Sequence, residues 1–479
     1  MLITRPSMIP IRRGLDALKR DLASVRNKGS FARNALYTFS DAAVNIGSQI
    51  ILTPIVAHIY GPVAYGVYGL FTSIASNLTV LGGFGYPAAF VLPKEQSKFF
   101  ALVRLAFALL LGVTALSLPV FLFPSFLYSI LPSWSVMGPW CILIPWMALM
   151  VGATQMMANW NMRAKAFSTN AKVNSFTNIS TRLLNMGTGF ATQGAHWGLI
   201  FGDVLVRSLA AIWYLFGLRK HGLQDLFRKG SHTSLGSVAL EYKEYPLYIF
   251  PGSWLSFFAL QLPIFALSAI GDNKATGCFT LASSLLLMPL RLFGYSLSSV
   301  FIQKANELGS DTNALGILVR RMYARLRALG LVPFVSLVFF GDLIFQLILG
   351  PEWALAGAYC GVMGPLYLFR LLSEPISSVY NTQRKEKSLF MFNLTLFLVN
   401  VSAAVAGTWL FQDSRSIVLL FACCNALAYM FQSGAILART GNNPWRSTAT
   451  TLIAASMIAL VMAAVRFLIV GSWWPSLNG

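Results

Sequence analysis

The chain has 479 residues, 56% of them hydrophobic and only 11% charged, against about 25% charged in ordinary soluble domains. No soluble core needs so much apolar surface, and the net charge of +20 sits in short clusters between apolar runs, which argues against a nucleic-acid-binding surface. The five cysteines (Cys141, Cys278, Cys360, Cys423, Cys424) stand singly or as an adjacent pair in or near apolar runs, without CxxC or Cys/His spacing. They read as reduced, packed thiols and supply no metal set.

Residues 1-34 form a basic segment in which Pro10, Arg12, Asp16, Lys19 and Asp21 interrupt any signal-peptide core. The spacing of Ile11, Leu15, Leu18, Leu22 and Val25 suits an amphipathic helix on anionic lipid, and a frayed basic tail fits equally well. Thirteen apolar stretches follow, at 35-59, 67-91, 99-123, 138-158, 173-193, 197-217, 246-270, 275-300, 324-348, 356-380, 388-411, 415-437 and 449-471. Each is long enough to cross a hydrocarbon core of about 30 Å at about 1.5 Å rise per residue. The expected fold is an all-α polytopic transmembrane bundle of 12-14 spans.

The connectors alternate in charge. Lys94 and Lys98, then Arg163, Lys165 and Lys172, then the run from Arg219 to Lys243, occupy every second loop. Lys304 with Arg320, Arg321, Arg325 and Arg327, then Arg384, Lys385 and Lys387, and finally Arg439 and Arg446 continue the pattern. The intervening loops, at 124-137, 192-197 and 350-357, hold almost no Lys or Arg. By the positive-inside rule the basic loops and the N-terminus are cytoplasmic.

The longest hydropathy break, 218-245, predicts a cytoplasmic linker between an N-lobe (35-217) and a C-lobe (246-437), with an extra span in 438-479. A faint echo joins the lobes: Pro54-Ile55, Gly61 and Gly66-Val67-Tyr68 against Pro263-Ile264, Gly271 and Gly277-Cys278-Phe279. That suits two parallel six-helix repeats around a central cavity.

Ionisable side chains at bilayer depth are costly and usually face a cavity or a partner. Arg182 lies near the middle of the fifth span, Asp203 and Arg207 in the sixth, Arg291 in the eighth, and Arg370 and Glu374 in the tenth. Arg104 and Asp41 sit in the cytoplasmic halves of the third and first spans. Asp203/Arg207 and Arg370/Glu374 are four residues apart, so each pair can neutralise itself on one helix face. Arg182 and Arg291 have no acid at helical spacing and are expected to face a polar cavity, where a guanidinium fits phosphate oxygens. Arg182, Arg291, Arg207, Arg370 and Arg104 are thus candidate substrate ligands, and Asp41, Asp203 and Glu374 candidate ion-coupling groups. Arg466, near Trp473 and Trp474, is expected to snorkel. No GxxxxGK[ST], HExxH or GxSxG occurs, and nothing in the chain calls for a catalytic residue or a cofactor.

Several stretches resemble bacterial polysaccharide-unit flippases, the lipid-linked oligosaccharide translocases of the polysaccharide transporter family within the multidrug/oligosaccharidyl-lipid/polysaccharide exporter superfamily. They are Gly61-Pro-Val-Ala-Tyr-Gly-Val-Tyr68, Asn161-Met-Arg-Ala-Lys165, Gly271 through Gly277, Met288-Pro-Leu-Arg291, Phe301-Ile-Gln-Lys-Ala305, Gly350-Pro-Glu-Trp353 and Ser373-Glu-Pro-Ile-Ser377. The resemblance implies a bacterial inner-membrane protein with two six-helix lobes around a cationic cavity. It also implies alternating access that carries an undecaprenyl-diphosphate-linked oligosaccharide to the outer leaflet for lipopolysaccharide, capsule or exopolysaccharide biosynthesis, with a polysaccharide polymerase as a candidate partner. Two rival readings are an ion-coupled multidrug exporter of the same superfamily, using Asp41, and a glycan polymerase or ligase. The basic lean of the mid-span groups weighs against the first, and the short, uncharged loop 124-137 against the second.

Overall fold

The computed structural model describes residues 31–219, 222–227, 233–308, 311–383 and 385–473. The amphipathic pattern over 11–25 lies outside the described residues, as does part of the 218-245 linker. No strand occurs among the described residues.

The first helix, α1 (Phe31–Gly83), is broken at Gly61, whose φ of 67° and ψ of 172° suit glycine, and the next residue, Pro62, has no N–H to continue the ladder. The chain reverses there. Asp41 meets Asn174 and Gly83 lies beside Met156, both toward the Arg163 end of the bundle, whereas Ile59 lies against Gly194 at the opposite end. Then come α2 (Gln96–Leu122), α3 (Leu143–Arg163), α4 (Phe167–Thr192) and α5 (His196–Leu218), which pack with α1 as the N-terminal half.

The C-terminal half opens on a bent pair, α6 (Phe250–Ala259) and α7 (Leu262–Ala269), with 45° between its two parts. The next helix, α8 (Asn273–Pro289), runs through a π-helical stretch, Leu290–Tyr295, into α9 (Ser296–Leu308). The remaining helices are α10 (Thr312–Leu349), α11 (Ala354–Ser373), α12 (Glu386–Val405), α13 (Ser414–Arg439) and α14 (Pro444–Val470). Side-chain caps set four of these starts. Asp272 accepts from the Ala275 N–H, Asp311 from those of Asn313 and Ala314, Asp413 from Ser416, and Asn443 from Arg446.

Among the described residues ten helices are long and apolar enough to cross a membrane, or eleven if the bent pair counts as one span. The expected thirteen is not reached that way, for two physical reasons. Spans 35-59 and 67-91 merge into α1 across Gly61, and α4 is too polar to qualify.

Basic loops gather at one end of the bundle. There Arg163 donates to the carbonyls of Phe90 (3.2 Å) and Pro93 and lies 4.4 Å from the Phe99 ring, tying α3 to the chain ahead of α2. Lys98 pairs with Glu241 at 3.1 Å, and Arg439 donates to Ser388. The opposite, basic-poor end carries the Gly61 break, the turn at Gln193–Gly194, and Gly271, Gly350 and Gln412, all with positive φ. The loop 124-137 is folded there into Ser125–Ile130 and the start of Pro132–Ile142, and Ser133 donates to the Ala269 carbonyl at 3.1 Å.

The two halves meet most closely at the basic-poor end, where α1 crosses α8. A Cβ on Gly277 would stand 1.8 Å from the Pro62 carbonyl oxygen, and one on Gly66 would stand 2.0 Å from that of Asn273. The two glycines of the faint repeat therefore touch backbone to backbone. Around them His58 contacts the Leu349 carbonyl at 3.1 Å, and Tyr65 packs edge-on against the fully buried Trp353, with 5.3 Å between ring centroids.

Candidate functional site

Below that crossing lies a cavity of about 230 Å³ between α1, α4, α5 and α8. The first helix and the fourth together build most of its wall, and the fourth supplies the regular polar face. The polar residues of α4 fall at Asn174, Thr177, Asn178, Thr181, Arg182 and Asn185, a spacing of three and four that puts them along one side. A smaller cavity of about 90 Å³ continues the space toward Asn174 and Tyr214, sharing Thr177, Asn178 and Arg207.

Arg182 lines the larger cavity and is half-buried. Its guanidinium donates to its own helix at the Asn178 carbonyl (2.8 Å) and reaches Thr53 on α1 at 3.4 Å. No carboxylate pairs with it among the described residues, which leaves donors for an anion. Arg207 lines both cavities. Its Nε donates to Asp203 Oδ1 at 3.1 Å, while the Tyr68 hydroxyl donates to Asp203 Oδ2 at 2.9 Å. Asp203 is buried and uses both oxygens, so it neutralises Arg207 and fixes Tyr68, a partner that helical spacing within α5 did not reveal.

Arg291 is exposed and lies outside the lining of both cavities. It stands two turns beyond Ser284, which does line the larger one. It makes no ion pair among the described residues. The structure thus brings Arg182 together with Arg207 in the lining, and places Arg291 beside that space.

The remaining candidates sit elsewhere. Arg370 is buried in the C-terminal half, donates to Glu374 at 2.7 Å, and is 5.8 and 5.9 Å from the Tyr367 and Tyr429 rings. Its charge is answered by the acid one turn on and by two aromatic faces, so it lines neither cavity. Arg104 donates to the Phe100 carbonyl of its own helix at 3.3 Å and also lies away from both. Asp41 accepts from Asn174 (3.1 Å) and Ser175 (3.2 Å), joining α1 to α4 toward the basic end.

One expectation is corrected. Arg466 does not snorkel; it is 2% exposed, with Nη1 and Nη2 donating to the two oxygens of Asp342 on α10 at 2.8 and 2.7 Å. The acid lies on a different helix, far away in sequence, so spacing within the last span held no sign of it.

A multi-pass helical bundle with a polar, arginine-bearing cavity at the junction of its halves has the architecture of a membrane transporter. A sequence profile for the family described as Polysaccharide biosynthesis protein matches residues 55–357, and the chain belongs to that family. No curated protein matches the chain. Among solved structures it is similar to a multidrug-resistance MATE-family transporter of the MOP superfamily in an inward-facing conformation. The TM-score is 0.63 at 12% identity, over 84% of this chain and 98% of that one. It is also similar to the lipid II flippase MurJ in an inward closed conformation, with TM-score 0.58 at 14% identity over 91% and 99% of the two chains. A third is a MOP-superfamily transporter from Pyrococcus furiosus described as having reversed binding-pocket polarity, with TM-score 0.51 at 12% identity over 85% and 92%. At these identities the likeness establishes the fold, which is that of MOP-superfamily transporters and agrees with the resemblance carried by the sequence motifs.

Proposed function

We propose that the protein is a flippase that moves an undecaprenyl-diphosphate-linked oligosaccharide from the cytoplasmic to the outer leaflet of a bacterial inner membrane. It does so by alternating access of two lobes, 35-217 and 246-437, and forms no covalent bond. The observation that carries this reading is Arg182: a half-buried guanidinium without a carboxylate partner, in a cavity at the junction of the halves. A planar guanidinium binds phosphate oxygens bidentately and keeps its charge at every physiological pH. Membership of a polysaccharide biosynthesis family supports a glycan cargo. The backbone contact of Gly66 with Gly277 supports a state closed at the basic-poor end. The rival drug-exporter reading rests on Asp41, which lies outside both cavity linings, whereas the linings themselves carry Arg182 and Arg207.

Cells lacking the protein should accumulate the finished lipid-linked unit on the cytoplasmic face, and purified protein in vesicles should relocate such a unit without altering its mass. In the same vesicles Arg182→Ala should transport nothing measurable and Arg182→Lys should transport partially, since lysine keeps the charge but loses the fork. A product of greater mass would identify a polymerase. Normal surface polysaccharide combined with altered sensitivity to organic cations would identify a drug exporter.

The proposed orientation, N-terminus and basic loops in the cytoplasm, has its own check. Reporters fused after Lys165 and after Trp353 should report opposite sides of the membrane, the first cytoplasmic. The same side for both would refute this topology.

A further inference from the structure

The last helix, α14, has one sheltered face and one bare face. Thr451, Ala455, Ile458 and Met462 turn to the bundle, where Thr451 stands 3.2 Å from the Tyr323 hydroxyl and Met462 Sδ 3.9 Å from Ser336 of α10. Arg446, Thr450, Ile453, Met457 and Leu460 turn away from it, all exposed and spaced by four, three, four and three. This outer stripe is polar only at its basic end. From Thr450 to Leu460 it climbs about 15 Å at about 1.5 Å per residue, which is half of a hydrocarbon core of about 30 Å and so the depth of one leaflet.

A second guanidinium reaches the head of the stripe from another helix. Arg327 of α10 donates to Thr450 Oγ1 at 2.7 Å, and Arg446 stands one turn before Thr450, where Cβ atoms lie about 5–6 Å apart. No acid answers either of them. The whole of α14 lacks Asp and Glu, α10 has none before Asp342, and neither arginine makes an ion pair among the described residues. A guanidinium has five N–H donors, so the bond to Thr450 leaves Arg327 with donors to spare. Trp445 beside Arg446 is 80% exposed, and an exposed indole at a helix end marks the level of the lipid headgroups.

We propose that this stripe binds one anionic phospholipid of the leaflet at the basic end. Arg446 and Arg327 hold its phosphate headgroup, for which the arginine fork is suited, and Ile453, Met457 and Leu460 lie along an acyl chain. Basic pockets between spanning helices select such headgroups, because the attraction to an anionic surface adds to direct bonding. The lipid joins α10 to α14 where only the bonds of Thr450 and Thr451 do so within the protein. The site is separate from the central cavity, and it stands or falls independently of the flippase reading.

The test is native mass spectrometry of purified full-length protein titrated with phosphatidylglycerol, phosphatidylcholine or water-soluble glycerol 3-phosphate. Wild type should hold phosphatidylglycerol about tenfold or more tighter than phosphatidylcholine, each arginine contributing about fivefold. Arg446→Gln should remove about fivefold of that preference and Arg327→Gln with Arg446→Gln nearly all of it, with affinity for phosphatidylcholine kept within about twofold. The control is Arg321→Gln with Arg325→Gln, which removes the same charge from exposed positions about 120° and 160° around α10 from Arg327 and should change phosphatidylglycerol binding less than about twofold. Equal losses in the two double variants would overturn the site, since the preference would then belong to the basic end as a whole. Equal wild-type affinity for the two lipids would overturn it as well. Displacement of phosphatidylglycerol by glycerol 3-phosphate at comparable concentration would overturn the lipid as occupant in favour of a soluble phosphate ester. Arg446→Gln, at an exposed position, decides the matter alone where Arg327→Gln, which also breaks the bond to Thr450, loosens α14.

Discussion

Alanine at Gly277 should hold the two halves apart at the basic-poor end and abolish most translocation. Its Cβ would lie 1.8 Å from the Pro62 carbonyl oxygen and 2.8 Å from the Gly66 nitrogen, and neither atom belongs to a side chain that can swing away. Relief therefore requires α1 and α8 to separate, and these helices belong to opposite halves of the chain. Overpacking costs about 1–3 kcal/mol even where a core can relax, which is enough to shift a two-state population by about 5- to 150-fold. The shift runs toward the state open at this end, so a thiol introduced by Ser133→Cys, which faces the Ala269 carbonyl in the closed arrangement, should label faster while flipping slows. Gly66→Ala should do the same through the Asn273 carbonyl, 2.0 Å from its Cβ. Gly47→Ala is the control, since nothing lies within 4 Å of a Cβ there. Wild-type flipping together with unchanged Ser133→Cys protection in Gly277→Ala would show that this crossing takes no part in the cycle.

The same crossing shows what the sequence carried and what it withheld. Hydropathy and the alternation of Lys and Arg located the helices and the two ends of the bundle, because lipid and membrane interface act on each segment separately. The pairs Asp203/Arg207 and Arg370/Glu374 were visible for the same local reason, and both form. The echo around Gly66 and Gly277 was visible too, but only as a likeness. That the two glycines touch each other depends on how the halves dock.

Two of the stretches that carry the family resemblance are joints. Asn161, in the Asn161 to Lys165 stretch, is fully buried and donates to Asn170 at 3.0 Å, closing the α3–α4 turn. Trp353, in the Gly350 to Trp353 stretch, packs on Tyr65 across the halves. The candidate site was partly legible because α4 breaks hydropathy with a regular polar spacing. Asp203's second partner, Tyr68, and the placement of Arg291 beside the cavity come from tertiary packing, and leave no periodic trace in the chain.

Removing one member of the Arg466–Asp342 pair should cost more stability than any other single substitution considered for this chain. Both side chains are buried, at 2% and 6% exposure, and two parallel N–H···O bonds join them. Arg466 also donates to the Phe339 carbonyl, so the guanidinium is fixed from three directions. Asp342→Ala strands a cation at this depth, and breaking a buried pair in this way costs about 3–5 kcal/mol. The consequence falls on α14, of whose most apolar window only 6% is buried within the protein, and whose other polar ties to α10 include the hydrogen bonds of Thr450 and Thr451 with Arg327 and Tyr323. Replacing both partners, as Asp342→Leu with Arg466→Met, removes the stranded charge and should restore most of the lost stability, because apolar substitutes for a buried ion pair are often neutral or better. Thermal unfolding in detergent, followed beside vesicle translocation, separates the possible roles. The single variants should unfold early and the double variant near wild type, with translocation following stability. A double variant that is stable yet inactive would instead make the pair part of the transport cycle, and single variants as stable as wild type would mean that α14 is held by something other than this pair.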